Sequence, residues 1–262
     1  MSNHASSVNH LSAPPQRPAL FSPLGTFLLV VGMVIVFFMS QLLGMYIAGR
    51  LWLPAGNQLS IGNLFFLGSS DGTVVSASII ISCVLITALI LLVVRLKGGR
   101  VKEYLALAPF SWKVFVGMFG LLLLFMVGSQ ALTYWLAKSP SLFVDPLYDS
   151  VSSVWLLVLA MVIVAPIYEE LVFRGILWSA IAEQFSSSSA LGKSGAIIAS
   201  LVTSLIFATI HLQYGLYEIS TIVILALIFC YARVKSGSLL LPIVLHIINN
   251  GIAMGQYLLY GA

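Results

Sequence analysis

The stretch from Ala165 to Gly175 reads Ala-Pro-Ile-Tyr-Glu-Glu-Leu-Val-Phe-Arg-Gly and sets two carboxylates and a guanidinium inside sequence that is apolar on both sides. An ionised group at mid-bilayer costs about 2.5–3.5 kcal/mol on insertion scales. Such groups therefore face a protein interior or a wet cavity and are candidates for function. On a helix, Glu170 and Arg174 stand four residues apart, share a face and can pair. Glu169 is turned by about 100° from Glu170, so that pair does not neutralise it. Pro166 lies one turn before Glu170, where its ring disfavours the preceding turn and favours a kink that opens the backbone to water. Two later apolar segments carry matching spacings: Phe207 and His211 are four apart, as are His246 and Asn250, which puts each pair on one helical face.

Burying Glu169, His211, His246 and Asn250 is cheapest if all four turn toward one interior cavity. Such a cavity holds the parts for hydrolysis. A carboxylate taken out of water is a stronger base and can act as general base. A neighbouring imidazole can hold and polarise a water, and a second imidazole with an amide can donate hydrogen bonds to a developing oxyanion. No Ser, Cys or Thr stands in a recognised nucleophilic setting, which favours water activated by glutamate. The same residues also read as a buried polar network that only locks helix packing. The cluster by itself leaves these two readings level.

The elements that must position these groups are transmembrane. The 262 residues are 60% hydrophobic and 8% charged, against about 25% charged in a soluble domain, so lipid must be the solvent. The apolar runs predict an all-α polytopic transmembrane bundle of about seven to eight helices with an intramembrane polar cavity. Spans are expected near 24–47, 73–94, 114–136, 152–184, 195–212, 217–233 and 239–259. Residues 1–23, which include His4 and His10, form a polar tail expected to be disordered. Residues 24–262 form one integral membrane domain. Lysines and arginines cluster between spans: Arg95, Lys97, Arg100, Lys102 and Lys113 after the second, Lys193 later, then Arg233 and Lys235. This predicts a cytoplasmic N-terminus, with Asp145 and Asp149 on the outer side. A net charge of +4 spread over such loops is no nucleic-acid face.

Residues 101–107 are expected to form a short interfacial helix or a solvated basic loop. Cys83 and Cys230 read as small buried hydrophobes, Tyr168 and Phe173 as packing, and Tyr214 and Tyr217 as an aromatic belt. Glu183 and Glu218 read as interfacial or solvated. Gly117, Gly120 and Gly128 are expected to permit close helix contact.

The three motifs together resemble the CAAX protease and bacteriocin-processing family of intramembrane proteases. That family includes the type II CAAX prenyl endopeptidases and the lysostaphin-resistance-type proteins. Glu169, Glu170 and Arg174 match its E-E-x-x-x-R motif, Phe207 and His211 its F-x-x-x-H motif, and His246 and Asn250 its H-x-x-x-N-like motif. The order is the same, and the resemblance covers about 151–253. It implies that Glu169 and His211 activate water, that His246 and Asn250 stabilise the oxyanion, and that Glu170, Arg174 and Phe207 support the site. The implied activity is an endopeptidase that cleaves a peptide or membrane-anchored protein, of which lipidated CAAX-like chains are one class. No cofactor is implied. A metal-dependent version would use Glu169, His211 and His246 as zinc ligands, but neither His stands in an H-E-x-x-H frame.

The chain shows no eukaryotic extensions, and the expected setting is a bacterial cytoplasmic membrane, with membrane lipid as surroundings and no nucleic-acid partner. The rival readings are a non-catalytic bacteriocin-immunity or scaffold protein, and a small transporter that relays protons. The lack of paired inverted repeats speaks against the transporter. Asn249 is second to Asn250 as the functional amide. A depth count sets His211 near the outer end of its helix and Glu169 nearer the inner side, so a shared site needs tilt, a kink or a protruding helix.

Overall fold

The computed structural model describes residues 19–53, 60–137, 145–185, 192–211 and 214–260. The first 18 residues, with His4, His10 and most of the polar tail, lie outside them. The described residues form ten helices and no strand: α1 (Pro23–Trp52), α2 (Ile61–Gly68), α3 (Gly72–Leu96), α4 (Val101–Tyr104), α5 (Trp112–Trp135), α6 (Asp145–Ser150), α7 (Val154–Gln184), α8 (Gly192–Thr209), α9 (Leu216–Ser236) and α10 (Leu240–Tyr260). Seven are long, at the places the apolar runs predict.

Five of these, α1, α3, α5, α7 and α9, are long and apolar enough to cross a membrane. The fold is an all-α membrane bundle. In α8, Ser194–Thr209 is apolar but shorter, and α10 carries His246, Asn249, Asn250 and Gln256 along its length.

Helix boundaries follow local chemistry. Ser22 caps α1 through its hydroxyl, with Pro23 in the first turn, where a missing N–H costs nothing. Asp71 caps α3 by accepting from the backbone of Thr73 and Val74, each at 2.9 Å. α9 ends at Gly237, whose φ of +65° is the left-handed conformation glycine adopts freely.

α7 lies at the centre of the bundle. Of its most apolar stretch 56% is buried, against 11% for α5 at the edge. Phe37 of α1 packs on Tyr168 and Phe173 of α7, both buried, and Phe173 meets Phe207 of α8 edge-on. α1 and α3 approach closely at Gly44, where a Cβ would lie 2.8 Å from the Ser78 carbonyl.

The backbone adjustment at Pro166 takes the form of two π segments. Leu159–Val164 and Leu171–Leu177 are π-helical and bracket the α-helical Ala165–Glu170. Pro166 has no N–H to give back along the helix, and its ring presses on the carbonyl four residues earlier. Widening to i→i+5 spacing relieves this.

Several expectations are corrected. The stretches between the expected spans hold the short helices α2 and α6. The basic stretch after α3 does form a helix, but it ends at Tyr104, and Ala106 takes a positive φ of +50°. Gly117, Gly120 and Gly128 have no neighbour within 4 Å of an added Cβ, so within the described chain they bring no helix close. Glu183 is engaged rather than solvated: its Oε2 accepts the backbone N–H of Leu20 at 2.9 Å.

Candidate active site

Glu170 and Arg174 are fully buried, one turn apart on α7. Arg174 Nη1 donates to Glu170 Oε1 at 2.9 Å. His246, from α10, sets its Nδ1 2.9 Å from the same oxygen. Its Nε2 then lies 3.7 Å from Glu169 Oε2. The result is a chain: Arg174, Glu170, His246, Glu169. A carboxylate only accepts, so a hydrogen bond at Nδ1 needs the proton on His246. That bond fixes the ring and turns Nε2 toward Glu169, as a carboxylate does for a catalytic imidazole elsewhere. The neighbouring carboxylates differ in access: the Glu170 side chain is 0% exposed and Glu169 is 13% exposed. Glu170 is sealed within the ion pair, and Glu169 reaches open space.

Further contacts hold the chain in place. Arg174 Nη2 donates to the Ala226 carbonyl of α9 at 3.2 Å, and its guanidinium lies 4.5 Å above the Phe207 ring. Phe229 of α9 stacks on His246 at 4.8 Å. The Arg174 carbonyl falls in the second π segment, where Arg233 Nε donates to it at 3.3 Å. π-Helical segments occur frequently at functional sites, and here each one exposes a carbonyl to a side chain from another helix. Asn250 Nδ2 donates to the Met161 carbonyl in the first segment at 3.0 Å. Asn249 instead donates to Asn250 Oδ1 at 3.1 Å, so Asn250 is the amide that reaches α7.

His211 lies just beyond the end of α8. Its Nδ1 is 2.7 Å from the Phe207 carbonyl. A carbonyl only accepts, so Nδ1 carries the proton, and the neutral ring has its lone pair on Nε2. The Phe207 ring stands 4.8 Å from His211 and 6.0 Å from His246. Phe207 therefore ties the two imidazoles together, while no hydrogen bond among the described residues links His211 to Glu169 or His246. α8 ends at Thr209, two residues after Phe207, and His211 reaches back along the helix to the Phe207 carbonyl.

Three contributors carry no motif. Tyr214, read as an aromatic-belt residue, stacks on His211 at 6.3 Å. Burial and the charges of Glu169 and Glu218 push its phenol above the usual tyrosine range. Arg233, read only as a topology marker, is buried and props the second π segment. Phe229 looks in sequence like any core aromatic. A cation one turn inside the end of an apolar helix was the one available signal, and it pointed to Arg233.

Among the described residues no three His, Cys, Asp or Glu side chains gather as a metal-ligand set. Glu169 and His246 are close, but His211 is turned onto Phe207, so the trio a metal-dependent version needs is not assembled.

The family described as type II CAAX prenyl endopeptidase Rce1-like matches residues 151–252. This segment is similar to the Rce1-like family. The family is one of intramembrane peptidases of the CAAX type, and the Rce1-like segment contains every site residue named above. The chain is also 33% identical over 132 residues to an uncharacterized 24.3 kDa protein of Escherichia coli, covering 46% of this chain and 58% of that protein. It thus spans a little over half the length of that relative. No solved structure matches it.

Proposed function

We propose that the chain is an endopeptidase that hydrolyses a peptide bond of a membrane-anchored substrate with water activated by Glu169. Glu169 takes a proton from water, and the hydroxide oxygen adds to the scissile carbonyl carbon. His211, with its Nδ1 proton held by the Phe207 carbonyl, offers Nε2 to the second hydrogen of that water. The oxyanion accepts hydrogen bonds from a protonated His246 Nε2 and from the Asn250 amide hydrogen that the Met161 carbonyl leaves free. When the tetrahedral adduct collapses, the C–N bond breaks. The proton on Glu169 passes to the leaving nitrogen, giving a carboxylic acid and an amine.

The observation that carries this reading is the difference between the paired glutamates. One is closed off by Arg174, and its neighbour faces an oriented imidazole with partial access. The Rce1-like match supports the same class of chemistry. We place the protein in a bacterial cytoplasmic membrane with its N-terminus in the cytoplasm. Its substrates are peptides or proteins held at the bilayer, prenylated CAAX-type chains among them.

The test is to reconstitute the protein in vesicles with a farnesylated CAAX peptide and, separately, an unlipidated transmembrane peptide, and to weigh the products. One broken peptide bond with the mass of water added is expected for a membrane-held substrate, and the cleavage should be lost in His211→Ala. No product from either peptide, together with a cellular phenotype that persists in His211→Ala, favours the non-catalytic immunity or scaffold reading.

A further inference from the structure

A cavity lies at the C-terminal end of α7, beyond the glutamates at mid-helix, where α1 begins and α3 ends. It encloses about 870 Å³ and is lined by Leu20, Lys97, Arg100, Tyr104, Trp178 and Glu183 among others. That volume is within the range of small-ligand sites. Three membrane spans terminate at its rim, so it opens at the level of lipid headgroups.

The polar groups are unequal in what they leave free. Its two carboxylates are already engaged: Glu183 accepts from the Leu20 backbone, and Glu103 accepts from Arg100 at 2.9 Å. The donors are not. The Lys97 ammonium lies 5.8 Å from the Phe21 ring centre and has no carboxylate within ion-pair distance among the described residues. The Tyr104 hydroxyl is buried and has no hydrogen-bond partner there. Burial and the nearby Glu183 charge raise the Tyr104 phenol above its ordinary range, so it stays a donor. Arg100 keeps further N–H groups beyond the one given to Glu103. The cavity thus has its carboxylates engaged while Lys97, Tyr104 and the remaining Arg100 N–H groups keep donors to give, and it sits against the apolar Leu20 and the amphipathic Trp178, whose Nε1 donates to Ser200 at 3.1 Å.

We propose that this cavity binds a phosphate-bearing headgroup, supplied by an anionic lipid of the surrounding leaflet. Lys97 and Arg100 supply charge to the phosphate oxygens, and Tyr104 donates from the cavity floor. The acyl chains run down the bilayer face beside Leu20 and Trp178.

The purified protein in neutral detergent, titrated with phosphatidylglycerol, phosphatidylcholine or glycerol 3-phosphate, reports binding as a rise in Tm. Phosphatidylglycerol should raise the wild-type Tm saturably and phosphatidylcholine should not. The half-saturating concentration should rise at least tenfold in Lys97→Gln with Tyr104→Phe. Tyr104→Phe alone keeps the buried ring and should weaken the effect severalfold, which preserves the test if the double variant fails to fold. Equal shifts from both lipids, or wild-type titration by Tyr104→Phe, overturn the proposal. A shift from glycerol 3-phosphate equal to that from phosphatidylglycerol overturns the lipid as source.

Discussion

Replacing Arg174 by methionine removes one half of a fully buried ion pair while keeping most of the side-chain length. In the structure Arg174 bonds Glu170 at 2.9 Å, bonds the Ala226 carbonyl at 3.2 Å and covers the Phe207 ring at 4.5 Å. Among the described residues, buried Glu170 then keeps only His246 as a hydrogen-bond partner. Breaking a buried pair in this way costs about 3–5 kcal/mol. At about 2–4 °C per kcal/mol for a chain of this size, that is a fall in Tm of roughly 6–20 °C. Adding Glu170→Gln restores neutrality. Since replacing a whole buried pair is often neutral or stabilising, the double variant should regain most of the lost Tm. Its cleavage rate should stay low, because the amide no longer holds His246 Nδ1 as a carboxylate does. The assay is thermal unfolding in micelles beside cleavage of a membrane-anchored peptide. An Arg174→Met protein within about 1 kcal/mol of wild type would refute the claim that the pair is shielded from water. Full activity in the double variant would refute the role given to Glu170.

Asn250→Ala removes an oxyanion donor and should lower kcat by about 10²–10³-fold with little change in KM, read from steady-state cleavage. Gly72→Ala sets a Cβ against the Leu147 carbonyl, a clash with backbone, whereas Gly128→Ala meets nothing within 4 Å. The first should lower unfolding free energy by about 1–3 kcal/mol and the second should leave it within about 0.5 kcal/mol, both measured by thermal unfolding.

The spans were legible because lipid imposes long apolar runs that no soluble fold requires, and their observed limits lie within a few residues of the expected ones. Glu169, Glu170, Arg174, His246 and Asn250 were legible for the same reason: charge and amide groups stand out against an apolar background. Their pairing was partly legible. The four-residue spacing gave Glu170 with Arg174, but nothing local told that His246, from α10, would bond Glu170 and only approach Glu169. The π segments were hidden because Pro166 marks a disturbed helix without saying whether it bends or widens. Arg233 and Tyr214 were missed because their roles come from contacts across helices, to the Arg174 carbonyl and the His211 ring. Gly117, Gly120 and Gly128 misled because a small residue permits a close approach without requiring one.

The central claim is that Glu169, and not a metal, activates the water. Its most direct test is the cleavage rate of Glu169→Gln beside wild type, in vesicles, with and without a strong chelator, with Tm as the check on folding. Wild-type cleavage unaffected by chelation and a rate about 10²–10⁴-fold lower in a folded Glu169→Gln protein are predicted. Wild-type rates in Glu169→Gln, or activity that vanishes on chelation and returns with zinc, would contradict it.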